Sequence, residues 1–324
     1  MILRLFTTYG PRGRRDMAPY QFIDKVTKGD YILQFGNATT SFRDYTYVKD
    51  TVEGILAAVE SSIDKIKNNN NKNNNKLQQE PSFQVVNLGR GQGTSLSTLL
   101  QTVERYCNRT ARIQLWPQQA GDVLQTRANI TLARQLYHYG PQTSLSEGIR
   151  QTVVWYNEQQ QQQKNIINQT TSPLLRRGRH SRRRLLEEQP ITTTPPPIKD
   201  DDNWETIPIV PPHTGRKTVL LTGAAGFVGS HVGQALLRRG DKVIVVDEVN
   251  DYYDVTIKEA NLALLQQEAI DTDQLTIFRG DVANETLLRQ IFEDLSLEVL
   301  RVACPIYAVL DFLACEEATF WEEE

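Results

Sequence analysis

Lys217-Thr-Val-Leu-Leu-Thr-Gly-Ala-Ala-Gly-Phe-Val-Gly-Ser-His231, a helical stretch, and then Lys242-Val-Ile-Val-Val-Asp247 decide the fold of this 324-residue chain. Thr218 to Leu221 is a β-branched and apolar run suited to a strand covered on both faces. The glycines at 223, 226 and 229 have separate tasks. The first allows a tight turn, the second lets backbone approach a pyrophosphate, and the third lets the next helix pack closely on the sheet. Val228, Val232, Ala235 and Leu236 recur at helical spacing and the pattern stops at Gly240, so the first N–H groups of that helix point back at the turn. A bare glycine turn without ligand is the plainer alternative, but strand, turn, helix and closing acid all agree on a phosphate cradle.

Asp247 closes the second strand, where a carboxylate accepts from ribose hydroxyls and repels a 2′-phosphate; this favours NAD over NADP. Such a unit opens a Rossmann-type, doubly wound parallel α/β sheet, and in enzymes of that kind it normally stands at the N-terminus. Here it begins at residue 217.

Thr222 to His231, followed by Asp247-Glu-Val-Asn-Asp-Tyr-Tyr-Asp-Val255 and Lys258-Glu-Ala260, closely resembles the start of UDP-glucuronate 4-epimerases, members of the NAD-dependent epimerase/dehydratase (extended short-chain dehydrogenase/reductase) family. Gly280-Asp281-Val282 is similar to the turn after that family's third strand, which lies against the adenine. The resemblance implies that Gly223, Ala225, Gly226, Phe227, Val228, Gly229, Asp247, Asn250, Asp281 and Val282 bind the cofactor. It runs to about Leu297, beyond which Arg301-Val-Ala-Cys-Pro-Ile-Tyr307 stands where the family has a fourth strand and a His-Leu-Ala-Ala segment.

The first half of the chain resembles the other end of the same family. Leu3-Arg-Leu-Phe-Thr-Thr-Tyr-Gly-Pro-Arg-Gly-Arg14 is similar to the strand and loop after the catalytic helix, and Phe42-Arg-Asp-Tyr-Thr-Tyr-Val48 to the nucleotide-sugar-binding strand. Val86-Asn-Leu-Gly89, Pro117-Gln-Gln-Ala-Gly-Asp-Val123 and Pro141 to Tyr156 follow in the family's order. The expected organisation is a C-terminal, nucleotide-sugar-binding epimerase half over 1–157 with a disordered insert at 67–80, a disordered linker over 158–215, an N-terminal NAD-binding Rossmann half over 216–297, and a divergent tail over 298–324. The expected architecture is an incomplete doubly wound sheet with a small α/β substrate-binding part, the C-terminal part docking on the N-terminal half.

The resemblance also supplies substrate residues. Thr7 and Arg14 match the family's sugar contacts, Arg43 its diphosphate ligand, and Asp122, with Gln119 beside it, the group holding the uridine ribose. A forked permanent cation suits a diphosphate. Gln119 stands where galactose-type epimerases tend to have Arg, which leans toward the glucuronate branch. Arg15 replaces the usual Pro, Lys49 an Asp, and Asn129 another Asp.

The family reaction needs a helical Tyr-x-x-x-Lys pair, in which the phenolate takes the sugar 4-hydroxyl proton and the Lys lowers the Tyr pKa. The one literal match, Tyr45 to Lys49, lies in the strand motif, where residues four apart do not meet, so no catalytic residue is assigned. Three readings follow: an active, circularly permuted epimerase converting UDP-glucuronate to UDP-galacturonate; a non-catalytic NAD- or nucleotide-sugar-binding protein; and a fragmentary product of two adjacent epimerase genes, to which Met1 opening within a strand points. The helices through which related epimerases dimerise are among those the chain lacks, which puts the usual homodimer in question.

Composition bounds the rest. The net charge of −3 implies no polyanionic partner, and Cys107, Cys304 and Cys315 lack metal-ligand spacing, so reduced thiols and no metal are expected. No run approaches the roughly 20 apolar residues of a membrane span and Met1 to Phe6 is too short for a signal peptide, so a cytoplasmic protein is expected. The Asn-x-Thr triplets then read as chance. Arginines between Arg176 and Arg184 lack interleaved aromatics and precede Glu187 and Glu188, so they read as solvated linker rather than a nucleic-acid patch. Trp116, Trp155, Tyr137 and Tyr139 read as core aromatics.

Capping-box spacing at Asp50 and Glu53 predicts a helix with Val52, Ile55, Leu56 and Val59 on one face, ending at the Asn-rich run from Lys67. Leu96, Leu99, Leu100 and Val103 predict another. Ser144 and Glu147 cap a third, with Leu145, Ile149, Val153 and Tyr156 inward and its end near the Gln run at 159–163.

Overall fold

The structure is a computed structural model that describes residues 1–70, 84–118, 122–170, 216–252, 254–295 and 300–303. The N-terminal half runs β1 (Ile2–Leu5), β2 (Thr7–Tyr9), α1 (Ala18–Lys28), β3 (Tyr31–Phe35), β4 (Phe42–Arg43), β5 (Tyr45–Tyr47), α2 (Val48–Asn70), β6 (Val85–Leu88), β7 (Thr94–Ser95), α3 (Leu96–Cys107), β8 (Arg112–Trp116), α4 (Thr131–Tyr137) and α5 (Leu145–Thr170). The C-terminal half continues β9 (Thr218–Thr222), α6 (Phe227–Arg238), β10 (Lys242–Asp247), α7 (Val255–Glu268), β11 (Leu275–Arg279), α8 (Glu285–Leu295) and β12 (Leu300–Ala303).

The strand–helix–strand pattern at 218–247 forms as read. β9, β10, β11 and β12 make one parallel sheet in the order β11-β10-β9-β12, with Val243 registered between Val219 and Leu275. Val219 to Leu221 and Val243 to Val246 are all essentially inaccessible to solvent, as strands covered on both faces require. A strand beyond Leu297 is present: β12 pairs in parallel with β9 on the side away from β10. Among the described residues of the N-terminal half, strands meet only in pairs: β1 with β6, β2 with β5 and β3 with β8 in parallel, and β4 with β7 antiparallel.

One hydrophobic core runs through both halves, from Leu3, Val86 and Leu88 to Val219, Val243 and Leu236. At the seam α2 packs on α6, and the Glu60 carboxylate accepts from Arg239 at 2.7 Å and from Lys217. Arg12, held in the left-handed region at φ 62°, buries its guanidinium against Gln234; burial lowers its pKa to about 10 and leaves Nε and Nη1 without an acceptor among the described residues. The expected docking of the C-terminal part on the N-terminal half is thus present.

Several helix ends differ from the sequence reading. Val52, Ile55, Leu56 and Val59 are buried as expected, but α2 begins at Val48 and Asp50 lies inside its first turn. Its carboxylate instead accepts from the N–H groups of Gln142 and Thr143, ahead of α5. α2 also continues through residues 67–70, and α5 through the Gln run to Thr170, past the expected boundary at 157. Gln has nearly the helix propensity of Leu, and propagation adds one backbone bond per residue, so loss of the apolar face alone does not stop a helix. The remainder of the insert, the linker from 171 and the tail beyond Ala303 lie outside the described residues. Ser144 does cap α5, accepting from Glu147 N at 3.1 Å. Tyr137 and Tyr139 are buried, whereas Trp116 is 47% exposed on β8 and is no core aromatic.

Candidate cofactor and nucleotide-sugar sites

Gly223 takes φ 70°, a conformation a Cβ would strain, and so turns the chain out of β9. Its carbonyl accepts from Gly226 N at 3.0 Å, and Gly226 stands in extended conformation as the N-cap of α6 without any side-chain cap. The first-turn N–H groups at Phe227, Val228 and Gly229 therefore have no intrahelical acceptor and mark the positive end of a 12-residue helix. At Gly229 an added Cβ would lie 2.2 Å from Gly223 O, so only glycine lets α6 sit this close to the turn. Phe227 is buried instead of lining an open groove, its ring edge-on to His231.

Asp247 does more than the sequence suggests. Its Oδ2 accepts from Ala225 N and its Oδ1 from Val249 N, each at 2.8 Å, and it is 8% exposed. The carboxylate thus clamps the glycine turn to the end of β10. Val249, β-branched yet at φ 49°, carries backbone strain at the rim of this site. Asn250 is held by the Lys258 ammonium, which donates to its backbone oxygen at 2.7 Å. Asp281 turns the chain after β11 by accepting from Ala283 N at 2.9 Å, with Val282 exposed beside it. A dinucleotide fits this geometry: a cradle that side chains would fill, free N–H donors and an acid at the end of the second strand.

Of the substrate candidates, the structure brings together Arg43 and Asp122, 79 residues apart in sequence, at 2.6 Å. Arg14 grips Asp16, holding that carboxyl below the usual range, and its guanidinium lies 5.5 Å from the Tyr252 ring centre on the C-terminal half. Thr7 sits half-buried in β2, registered opposite Tyr45. Gln119 lies outside the described residues. Sequence reasoning missed Asp44, which is fully buried and accepts from the N–H groups of Arg90, Gly91 and Ala128 at 2.8–2.9 Å. It also missed the ion pair of Arg15 with Asp254 at 2.8 Å; the departure from Pro at 15 was the available signal.

Tyr45 is 2% exposed in β5, and burial pushes its phenol up to about 12, with Arg43 opposing only in part. Lys49 lies on the following helix and is not among the groups acting on that phenol. No helix among the described residues is long and apolar enough to cross a membrane, and no group of three metal-ligating side chains occurs among them.

A glycine turn at a helix N-terminus, carried by a parallel sheet and docked on a second α/β part, defines a protein of Rossmann-type fold. The sequence profile of the GDP-mannose 4,6 dehydratase family matches residues 1–152 and 220–307, and the chain belongs to that family. The match passes the expected limit at Leu297 and takes in β12. A probable UDP-glucuronate 4-epimerase of Rhizobium meliloti (strain 1021) is 37% identical over 158 residues, 48% of this chain and 46% of that protein. UDP-glucuronate 4-epimerase 4 of Arabidopsis thaliana is 38% identical over 157 residues, 48% of this chain and 35% of that one. The chain spans less than half the length of these relatives. Among solved structures, UDP-glucuronic acid 4-epimerase from Bacillus cereus, in complex with UDP-glucuronic acid and NAD, is 27% identical with a TM-score of 0.40, covering 48% of this chain and 45% of that one.

Proposed function

We propose that this chain binds NAD and a UDP-sugar, most closely UDP-glucuronate, and does not by itself epimerise it. The observation that carries the reading is the glycine cradle at Gly223, Gly226 and Gly229 with Asp247 clamped beneath it. The α6 N-terminus would hold the pyrophosphate and Asp247 the adenosine ribose. Arg43, with Asp122 against it, would meet the sugar diphosphate, and Thr7, Arg14 and Gln119 the sugar and ribose. When bound, NAD would accept the hydride from the sugar C4.

Two further parts complete the proposal. Residues 1–157 correspond to the C-terminal part of an epimerase and 216–297 to the N-terminal part, in reversed order; the two blocks of the family match and the shared core support this. The Tyr45 phenol is no proton acceptor, because a buried group raised to about 12 stays protonated at neutral pH. The protein is also assigned to the cytoplasm.

The experiment incubates the chain with NAD and UDP-glucuronate and separates the products by chromatography. No UDP-galacturonate above a heat-killed control is expected. Turnover would overturn the inactive reading, and its loss in Tyr45→Phe would identify that strand motif as the working site.

A further inference from the structure

Apart from the glycine turn and the Arg43–Asp122 pair, the N-terminal half holds a cavity of about 430 Å3 walled by Arg90, Arg127 and Arg134 over a floor of buried Ala128 and Ile130. None of its lining residues is acidic. Arg127 Nε donates to Gly91 O at 2.9 Å, which fixes one guanidinium at the rim. The Arg90 and Arg134 guanidiniums have no acceptor among the described residues.

Like charges converge here because of how the loops are pinned. Buried Asp44 accepts from Arg90 N, Gly91 N and Ala128 N, so the loop after β6 and the segment before α4 meet on one carboxylate. The backbone that carries the cavity is therefore fixed before any ligand arrives. Arg127 and Arg134 are exposed and Arg90 is half-buried, yet all three line one concavity with buried Ala128 and Ile130 beneath. Forked guanidiniums match phosphate oxygens in geometry and charge.

We propose that this cavity binds a small diphosphate compound, in a volume that also admits an attached nucleoside. Calorimetry of the full chain with inorganic pyrophosphate and with UDP, at low and high salt, tests it. Binding should weaken with salt and fall about tenfold in Arg90→Gln and in Arg134→Gln, the order expected for one charge-assisted hydrogen bond. The component of binding that is lost in Arg90→Gln should remain in Arg43→Ala, which removes the proposed UDP-sugar site instead. Tighter binding of UDP than pyrophosphate would place the nucleoside in the cavity, and equal binding would show that the phosphates alone are read. Circular dichroism confirms that each variant is folded, and Arg90→Lys should recover part of the affinity. Absence of heat with both ligands, or unchanged affinity when Arg90→Gln and Arg134→Gln are combined, overturns the proposal.

Discussion

Replacing Gly229 with alanine should separate the helix from the turn that it holds. The added Cβ falls 2.2 Å from Gly223 O and 2.8 Å from Gly223 C, both backbone atoms with no rotamer to escape into. Carbon–oxygen contacts settle near about 3.3–3.6 Å, so α6 and the turn must part by about 1 Å. Overpacking of this kind costs about 1–3 kcal/mol, offset by less than about 1 kcal/mol of helix propensity gained over glycine. The net loss should be about 1–2 kcal/mol. A shift of about 1 Å also carries the first-turn N–H groups beyond hydrogen-bond reach of a phosphate, so NAD affinity should drop more than about tenfold. Gly233→Ala is the control on the same helix: its Cβ meets methyl ends of Leu265 at 3.0 Å and Leu221 at 3.3 Å, which can yield. It should cost less than about 1 kcal/mol and leave NAD binding unchanged. Calorimetric titration and urea midpoints measure both. Equal NAD affinity in Gly229→Ala and the unaltered chain would refute the close-packing argument.

The remaining predictions concern the seam and a buried acid. Burial, with Asp50 beside it, raises the Glu53 pKa to about 7. Folding then takes up a proton between the unfolded value near 4.5 and about 7, so stability from this group is complete below the first and falls as pH rises through the second. Discounted for its partial exposure the loss is about 1–2 kcal/mol; denaturation against pH should show the decline, and Glu53→Gln should flatten it. Glu60→Ala should cost about 1–3 kcal/mol in urea denaturation, because it removes one of two carboxylates from an Arg239 side chain that is 1% exposed, Asp241 remaining. Arg15→Ala, whose side chain is 51% exposed, should cost less than about 1 kcal/mol; equal losses in the two variants would contradict this account of the seam.

The sequence by itself determined what neighbouring residues decide. Three glycines specified the turn between β9 and α6, and Ser144 specified the start of α5, because the atoms involved lie three to six residues apart and meet in any chain with that local conformation. Only the tertiary structure decided the partners brought from afar. Asp50 has capping-box spacing, yet it serves Thr143, 93 residues away, since α2 starts two residues earlier. Glu60 finds Lys217 and Arg239 only because α2 packs on α6. Arg43 faces Asp122 only after the strand pairs close, and β12 is a strand only because β9 offers it an edge. Spacing along the chain carries no information about which distant segment arrives; burial of a common core settles that, and these polar partners follow from it.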